Sequence, residues 1–255
     1  MVTAECHAHI FMDGVDYKKA AAAHENGPRE DLIREHLAAY QKAGISYVRD
    51  GGDPYGAGVL ARSLAPEYGI TYRTPVFAIH RAGRYGKIVG RAFSDWKEYC
   101  TLVREVRRAG GDFIKIMISG IMVYEQFGQM SEEPLAPEEI RELIHIAHEE
   151  GMAVMAHVNG ADAVRAAALA GADSIEHGNY IDRDCIDAMK EIRRTNNHTV
   201  FIVMSAYDKF DYAKEAIKLG VMEYITKPME KTRIVNALRK AMENIDACLL
   251  YTSPS

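Results

Sequence analysis

Short β-prone runs alternate with helical stretches along most of the chain, and this alternation constrains the fold more than any other feature. The runs fall at 3–10, 46–50, 71–79, 112–119, 153–158 and 174–176. Between them lie helical patterns at 31–44, 95–110, 137–151 and 161–171. The first places Leu32, Ile33, His36, Leu37 and Tyr40 at helical spacing. Glycines close several of these helices before the next strand begins. Two further units follow: a strand at 199–205 with a helix at 212–219, then a strand at 220–225 with a helix at 231–245. The average unit length is near the roughly 30 residues typical of a strand–crossover–strand element. Eight such units predict an α/β chain with a parallel, TIM-barrel-like (βα)8 architecture.

Composition narrows the class. With 255 residues, of which 48% are hydrophobic, the chain can bury a sizeable core and is neither disordered nor a disulfide-stapled mini-protein. A net charge of −5 offers no basic face, which argues against a nucleic-acid partner. Cys6, Cys100, Cys185 and Cys248 are scattered without a CxxC pair and read as reduced thiols. No apolar run reaches the roughly 20 residues of a membrane span. His7 and His9 stand where an export signal would be apolar. The expectation is a cytoplasmic protein with a small-molecule substrate and no membrane or nucleic-acid partner. Its oligomeric state is not readable.

Chemistry concentrates at the C-terminal ends of the predicted strands, where barrel enzymes place their active sites. His7 and His9 are two apart on a strand, point the same way and can reach one metal ion. Lys115 alternates with Ile114 and Ile116 and so faces the other side of its strand. A lysine turned into a barrel is costly unless it is paired or chemically modified. His157 and His177 close two later strands. Each alone has an ordinary explanation: a strand-end lysine reaching solvent, or a satisfied core histidine. Together, at corresponding ends of successive units, they point to a centre for Zn2+ or another divalent metal, one or two ions. His80 ends the third strand as a candidate substrate contact. His145 and His148, three apart on a helix, read as surface residues.

Five segments carry a specific resemblance: Glu5-Cys6-His7-Ala8-His9-Ile10, Arg49-Asp50-Gly51-Gly52, Gly111-Asp112-Phe113-Ile114-Lys115-Ile116-Met117, Met155-Ala156-His157-Val158-Asn159-Gly160 and Ser174-Ile175-Glu176-His177-Gly178. Residues 1 to about 190 resemble the metal-dependent amidohydrolase superfamily, in its imidazolonepropionase-like branch. The resemblance implies that His7 and His9 hold one metal, that Lys115, carboxylated by CO2, bridges two, and that His157 and His177 hold the second. It also implies metal-activated water attacking a C–N bond other than a peptide bond, in a cyclic amide, urea or N-acyl small molecule. One departure stands out. The family's eighth strand ends in a metal-binding, proton-shuttling aspartate, whereas the eighth run here delivers Lys227. The nearest carboxylates, Asp208 and Asp211, have no spacing that assigns them this role. Activity is therefore expected to be impaired.

The stretch from about 191 to 245 resembles something else. Ile202-Val203-Met204-Ser205-Ala206-Tyr207-Asp208, the segment 212–220 and Tyr224-Ile225-Thr226-Lys227-Pro228 are similar to the C-terminal part of a response-regulator receiver domain. The resemblance implies that Ser205 is the switch hydroxyl, Tyr224 the aromatic switch and Lys227 the phosphoryl partner. The acidic pair and phosphoacceptor aspartate of a receiver would precede residue 190, where the sequence is amidohydrolase-like, so a phosphorelay role is incomplete.

The expected organisation is a partial amidohydrolase-like barrel at 1–190, a partial receiver-like βαβα segment at 191–245 and a disordered tail at 246–255. The receiver-like units would fill the last two barrel positions; the alternative is an incomplete barrel with a docked receiver fragment. No Pro/Gly/Ser-rich linker separates the two parts, and the tail resembles translated adaptor read-through, so the sequence reads as an in-frame chimera. Three functions are in play: an impaired amidohydrolase, an incomplete receiver, and a metal-binding barrel remnant.

Overall fold

Among the described residues, parallel pairing organises the named strands into three sheets. The computed structural model of the chain describes residues 3–180 apart from 124 and 127, residue 182, the strands 202–205 and 223–226, and residues 236 and 240. The chain divides into two compact units, Met1–Tyr180 and Ile181–Ser255.

In the first unit, β1 (Ala4–Ala8), β2 (Tyr47–Asp50) and β3 (Thr71–Arg73) form a parallel sheet in that order. A second parallel sheet runs β5 (Gly90–Phe93), β4 (Ala78–Arg81), β6 (Ile114–Met117), β7 (Val154–Val158) and β8 (Ser174–His177). Every residue of β6 and β7 is buried, as befits inner strands of a parallel sheet covered on both faces. Helices α1 (Tyr17–Ala23), α2 (Glu30–Lys42), α3 (Ala57–Leu64), α4 (Trp96–Arg108), α5 (Pro137–Glu149) and α6 (Ala161–Leu169) connect the strands. Ile10, Phe11, Ile33, Leu37, Val48, Ala57, Ala61 and Tyr72 belong to one buried cluster beside the first sheet.

Local chemistry accounts for the helix ends. Asp95 caps α4 by accepting from the Glu98 amide at 2.8 Å, while the Glu98 carboxylate reaches back to the Ser94 amide at 2.6 Å. The helices expected at 31–44, 95–110, 137–151 and 161–171 are α2, α4, α5 and α6.

The run expected at 71–79 is broken into two strands that serve different sheets. Val76 lies between them with φ of 68°, a left-handed conformation that is costly for a β-branched residue. Asp112 holds the break in place. Its amide donates to the Thr74 carbonyl at 2.9 Å, and its carboxylate accepts from the Thr74 amide at 2.9 Å and from Arg73 at 2.6 Å. Strand β5 and helices α1 and α3 add to the pattern read from the sequence.

In the second unit, β9 (Ile202–Ser205) and β10 (Glu223–Thr226) pair in parallel, with Thr226 opposite Ser205 and Tyr224 opposite Val203. The helices expected at 212–219 and 231–245, the tail at 246–255 and Lys227 lie outside the described residues, apart from Asn236 and Lys240. Among the described residues, no helix is long and apolar enough to cross a membrane.

Candidate active site

Strand alternation brings His7 out of β1 toward the same space as β8, and the chain's exit from β1 adds His9. The imidazole rings form a chain: His7 to His9 at 5.4 Å between centroids, His7 to His177 at 4.9 Å and His177 to His157 at 4.6 Å. His177 has φ of 71°, a strained value at the end of β8 that belongs to the turn placing its ring between the other two. Lys115, on β6, is almost fully buried, and among the described residues its Nζ has no hydrogen-bond partner.

Three of the histidines touch groups that can only accept, which assigns their ring protons. His9 Nδ1 lies 2.9 Å from the Gly52 carbonyl and His7 Nδ1 lies 3.0 Å from Glu176 Oε2, so both donate from Nδ1, which leaves Nε2 as the atom turned away from these partners. His157 is the reverse: its Nε2 donates to the Gly120 carbonyl at 3.2 Å, leaving Nδ1 as the free donor atom.

The electrostatics favour neutral rings beside an ionised carboxylate. Burial, reinforced by His7, Lys115 and His177, pushes the His9 pKa down to about 3. Burial and the neighbouring His177 and Lys115 also hold His157 well below the ordinary imidazole range. Burial lowers the Lys115 ammonium to about 7, against the attraction of Glu176. Burial alone would raise Glu176, but hydrogen bonds from His7 and Ser174 and the charges of Lys115 and Arg49 bring it to about 2. Neutral imidazoles with free lone pairs are the form a divalent metal takes.

The sequence motifs acquire physical reasons. In Arg49-Asp50-Gly51-Gly52, Arg49 donates to Glu176 at 2.7 Å, Asp50 accepts from the Ile10 and Gly52 amides at 3.3 Å, and Gly52 supplies the carbonyl that orients His9. After β7, Asn159 donates to the Gly120 carbonyl at 3.0 Å and accepts from the Asn179 side chain at 2.7 Å, tying together the loops after β6, β7 and β8. Glu176, Arg49 and Asn159 are site-shaping residues to which the sequence assigned no role. The motifs that contain them were the available signal.

His80 lies on β4, buried, with Nδ1 2.9 Å from the Arg81 carbonyl. The loop between β4 and β5 roofs it: a Cβ on Gly86 would fall 2.7 Å from the His80 Cβ. From that loop Tyr85 lays its ring 5.3 Å from His157. His145 and His148 are exposed on α5, and His148 Nε2 pairs with Asp173 at 2.9 Å. Ser205 and Tyr224 lie on β9 and β10, in the other unit.

Whether the residues fit a metal turns on donor chemistry. His7 and His9 Nε2, His157 Nδ1 and the Lys115 nitrogen, which has no hydrogen-bond partner among the described residues, are donors or donor precursors of the right kind. Among the described residues, no three His, Cys, Asp or Glu side chains converge on one point as they stand. The fit is therefore one of donor type, protonation and neighbourhood.

Known proteins match both parts of the chain. The response regulator receiver domain family matches residues 130–239. That match runs back across α5, β7, α6 and β8, and so overlaps the segment bearing His157 and His177. Ochratoxinase of Aspergillus niger is 28% identical over 221 residues, covering 73% of this chain and 44% of its own. The chemotaxis protein CheY of Thermotoga maritima is 42% identical over 55 residues, covering 22% of this chain and 46% of its own. The chain thus spans less than half the length of either relative. Among solved structures, phenylurea hydrolase B aligns with a TM-score of 0.63 at 16% identity, over 93% of this chain and 66% of its own. At that identity the likeness is one of fold.

The first class these findings define is an amidohydrolase-like α/β segment with parallel sheets. Part of the same chain also matches the response regulator receiver domain family, so the chain is similar to an amidohydrolase over one part and to a receiver over another.

Proposed function

We propose that the amidohydrolase-like segment is a metal-dependent hydrolase of C–N bonds other than peptide bonds, acting on a cyclic amide or N-acyl small molecule. The observation that carries this reading is the buried Lys115 nitrogen, without a hydrogen-bond partner among the described residues, beside the His9 and His157 imidazoles held neutral by their surroundings. Such a lysine is costly to keep unless it becomes something else, and conversion to a carbamate with CO2 would give it a charge and two oxygen donors.

In this reading His7, His9, Lys115, His157 and His177 hold Zn2+ or another divalent ion, one or two in number. When bound, the metal supplies a Lewis acid for the scissile carbonyl and lowers the pKa of water. The chain's own residues supply the rest. Gly52, Glu176 and Gly120 set which ring nitrogens are free. Tyr85 walls the site beside His157, and His80 stands on β4 as a candidate substrate contact beneath the Gly86 loop. No aspartate ends the eighth strand-like run, where Lys227 stands, so proton transfer lacks its usual carrier and turnover is slow. The architecture proposed is a (βα)8-like barrel with six amidohydrolase-like units and two receiver-like units, in a cytoplasmic protein without nucleic-acid or membrane partners.

Metal analysis of the purified chain, followed by hydrolysis assays on N-acyl amino acids, cyclic amides and ureas, tests this. Bound zinc with slow hydrolysis is expected. Tight zinc with no hydrolysis across the panel would reduce the segment to a metal-binding remnant, and absence of any metal affinity would remove the reading.

The family match over 130–239 favours a second reading, a receiver module of a phosphorelay. Ser205, Tyr224 and Lys227 would be its switch residues. It lacks an identifiable phosphoacceptor aspartate.

A further inference from the structure

We propose that Glu176, clamped by Arg49, is the positioning residue that fixes the tautomer of His7 and thereby presents the His7 Nε2 lone pair to the metal. This rests on the metal-centre reading given above and assigns a role within it that the sequence motifs do not.

The two oxygens of Glu176 have separate tasks. Oε2 lies 3.0 Å from His7 Nδ1. Oε1 accepts from Arg49 Nη2 at 2.7 Å and from the Ser174 hydroxyl. Arg49 is itself held on several sides. Its Nε donates to the Cys6 carbonyl on β1 at 2.8 Å, and its Nη2 reaches Ser174 Oγ on β8 at 3.0 Å. The carboxylate is nearly buried, with 8% of its side chain exposed, so water does not compete strongly for it. With one oxygen occupied by a guanidinium that can only donate, the other is left facing the imidazole, and it can only accept.

His7 differs from the other assigned rings in one respect. His9 and His157 are oriented by main-chain carbonyls, of Gly52 and Gly120, which no substitution removes. The His7 tautomer depends on a side chain and so can be inverted by one change. In Glu176→Gln the oxygen of the new side-chain amide must face Arg49, because a guanidinium accepts nothing. The amide NH2 then faces His7 Nδ1, which becomes an acceptor, and the ring proton moves to Nε2. The atom meant for the metal is thereby blocked. In the Arg49→Met/Glu176→Gln double variant only the Ser174 hydroxyl remains at that position, and a hydroxyl can accept as well as donate, so it does not fix the amide's sense. The oxygen can turn to His7 and restore the original tautomer.

The test is a long-range 1H–15N spectrum of the metal-free, full-length chain labelled at histidine, at about pH 8, with His7 assigned through His7→Gln. Zinc affinity is measured alongside by chelator competition. The wild type should show His7 protonated on Nδ1, and Glu176→Gln should show it on Nε2 with zinc bound about 10- to 100-fold more weakly. The double variant should return toward the wild-type pattern and recover affinity. A purely structural role for Glu176 would not invert the tautomer, nor would removing a second salt-bridge partner reverse the damage. The proposal is overturned if metal-free wild type carries the His7 proton on Nε2, a result that needs no variant to fold. It is overturned equally if folded Glu176→Gln keeps the Nδ1 proton. If wild type binds no zinc, the metal-centre reading fails, while the spectra still decide the tautomer claim.

Discussion

The His9 imidazole occupies the space in which a side chain at Gly51 would begin: a Cβ there would lie 2.6 Å from His9 Nε2. The glycine is thus required by the site and not by backbone conformation. Gly51→Ala should displace the ring, break its bond to the Gly52 carbonyl and cost about 1–3 kcal/mol in stability, as overpacking does. Chelator competition on the variant should show zinc bound about tenfold more weakly or worse. Unchanged affinity would mean the ring can move aside without consequence.

Lys115 is the next site to test. Its nitrogen is buried without a hydrogen-bond partner among the described residues, and methionine matches its length without the charge. Lys115→Met should therefore raise the melting temperature of the metal-free chain by several degrees while lowering its metal content and any hydrolysis. A lower melting temperature would show that the lysine already has compensating interactions.

Asp50 should make stability depend on pH. Burial, reinforced by Asp53, pushes its carboxyl from 3.8 up to about 7. The folded state thus holds a proton that the unfolded state releases near 3.8. The contribution is fully present below 3.8, declines as pH rises and is lost above about 7. Urea denaturation of wild type and Asp50→Asn between pH 4 and 8 should show the gap between them shift in favour of the variant as pH rises. A constant gap would mean that Asp50 is ionised in both states.

The receiver part yields a further expectation. Because the sequence offers no phosphoacceptor after an appropriate strand, incubation with acetyl phosphate and Mg2+ should leave the intact mass unchanged. A gain of one phosphoryl group, mapped to an aspartate such as Asp208, would revive the phosphorelay reading.

Periodicity and caps were legible in the sequence. The helical pattern at 95–110 announces α4, and the β-prone runs at 112–119 and 153–158 announce β6 and β7. So was the gathering of His7, His9, Lys115, His157 and His177, because residues at equivalent ends of parallel strands meet whatever the details of packing. The break between β3 and β4 was not legible, since nothing local marks Val76 for a positive φ and its cause, Asp112, is distant in sequence. Helices α1 and α3 escaped because they are short, 7 and 8 residues, too brief for a helical period to stand out, and α1 is mostly alanine. The roles of Arg49 and Glu176 escaped for a different reason. A charged residue on a strand looks like surface until the strand opposite it is known.

Arg49 and Glu176 stand 127 residues apart in sequence, yet they share a hydrogen bond at the centre of the site. Closing so long a loop is slow and carries an entropic cost that nearby contacts do not. During synthesis the earlier βα elements can form while this clamp still lacks its second half. Only when β8 has emerged and docked does His7 acquire its acceptor. Metal capture would then mark the last step of maturation, and a ribosome-bound chain stopped before residue 174 should leave zinc in solution.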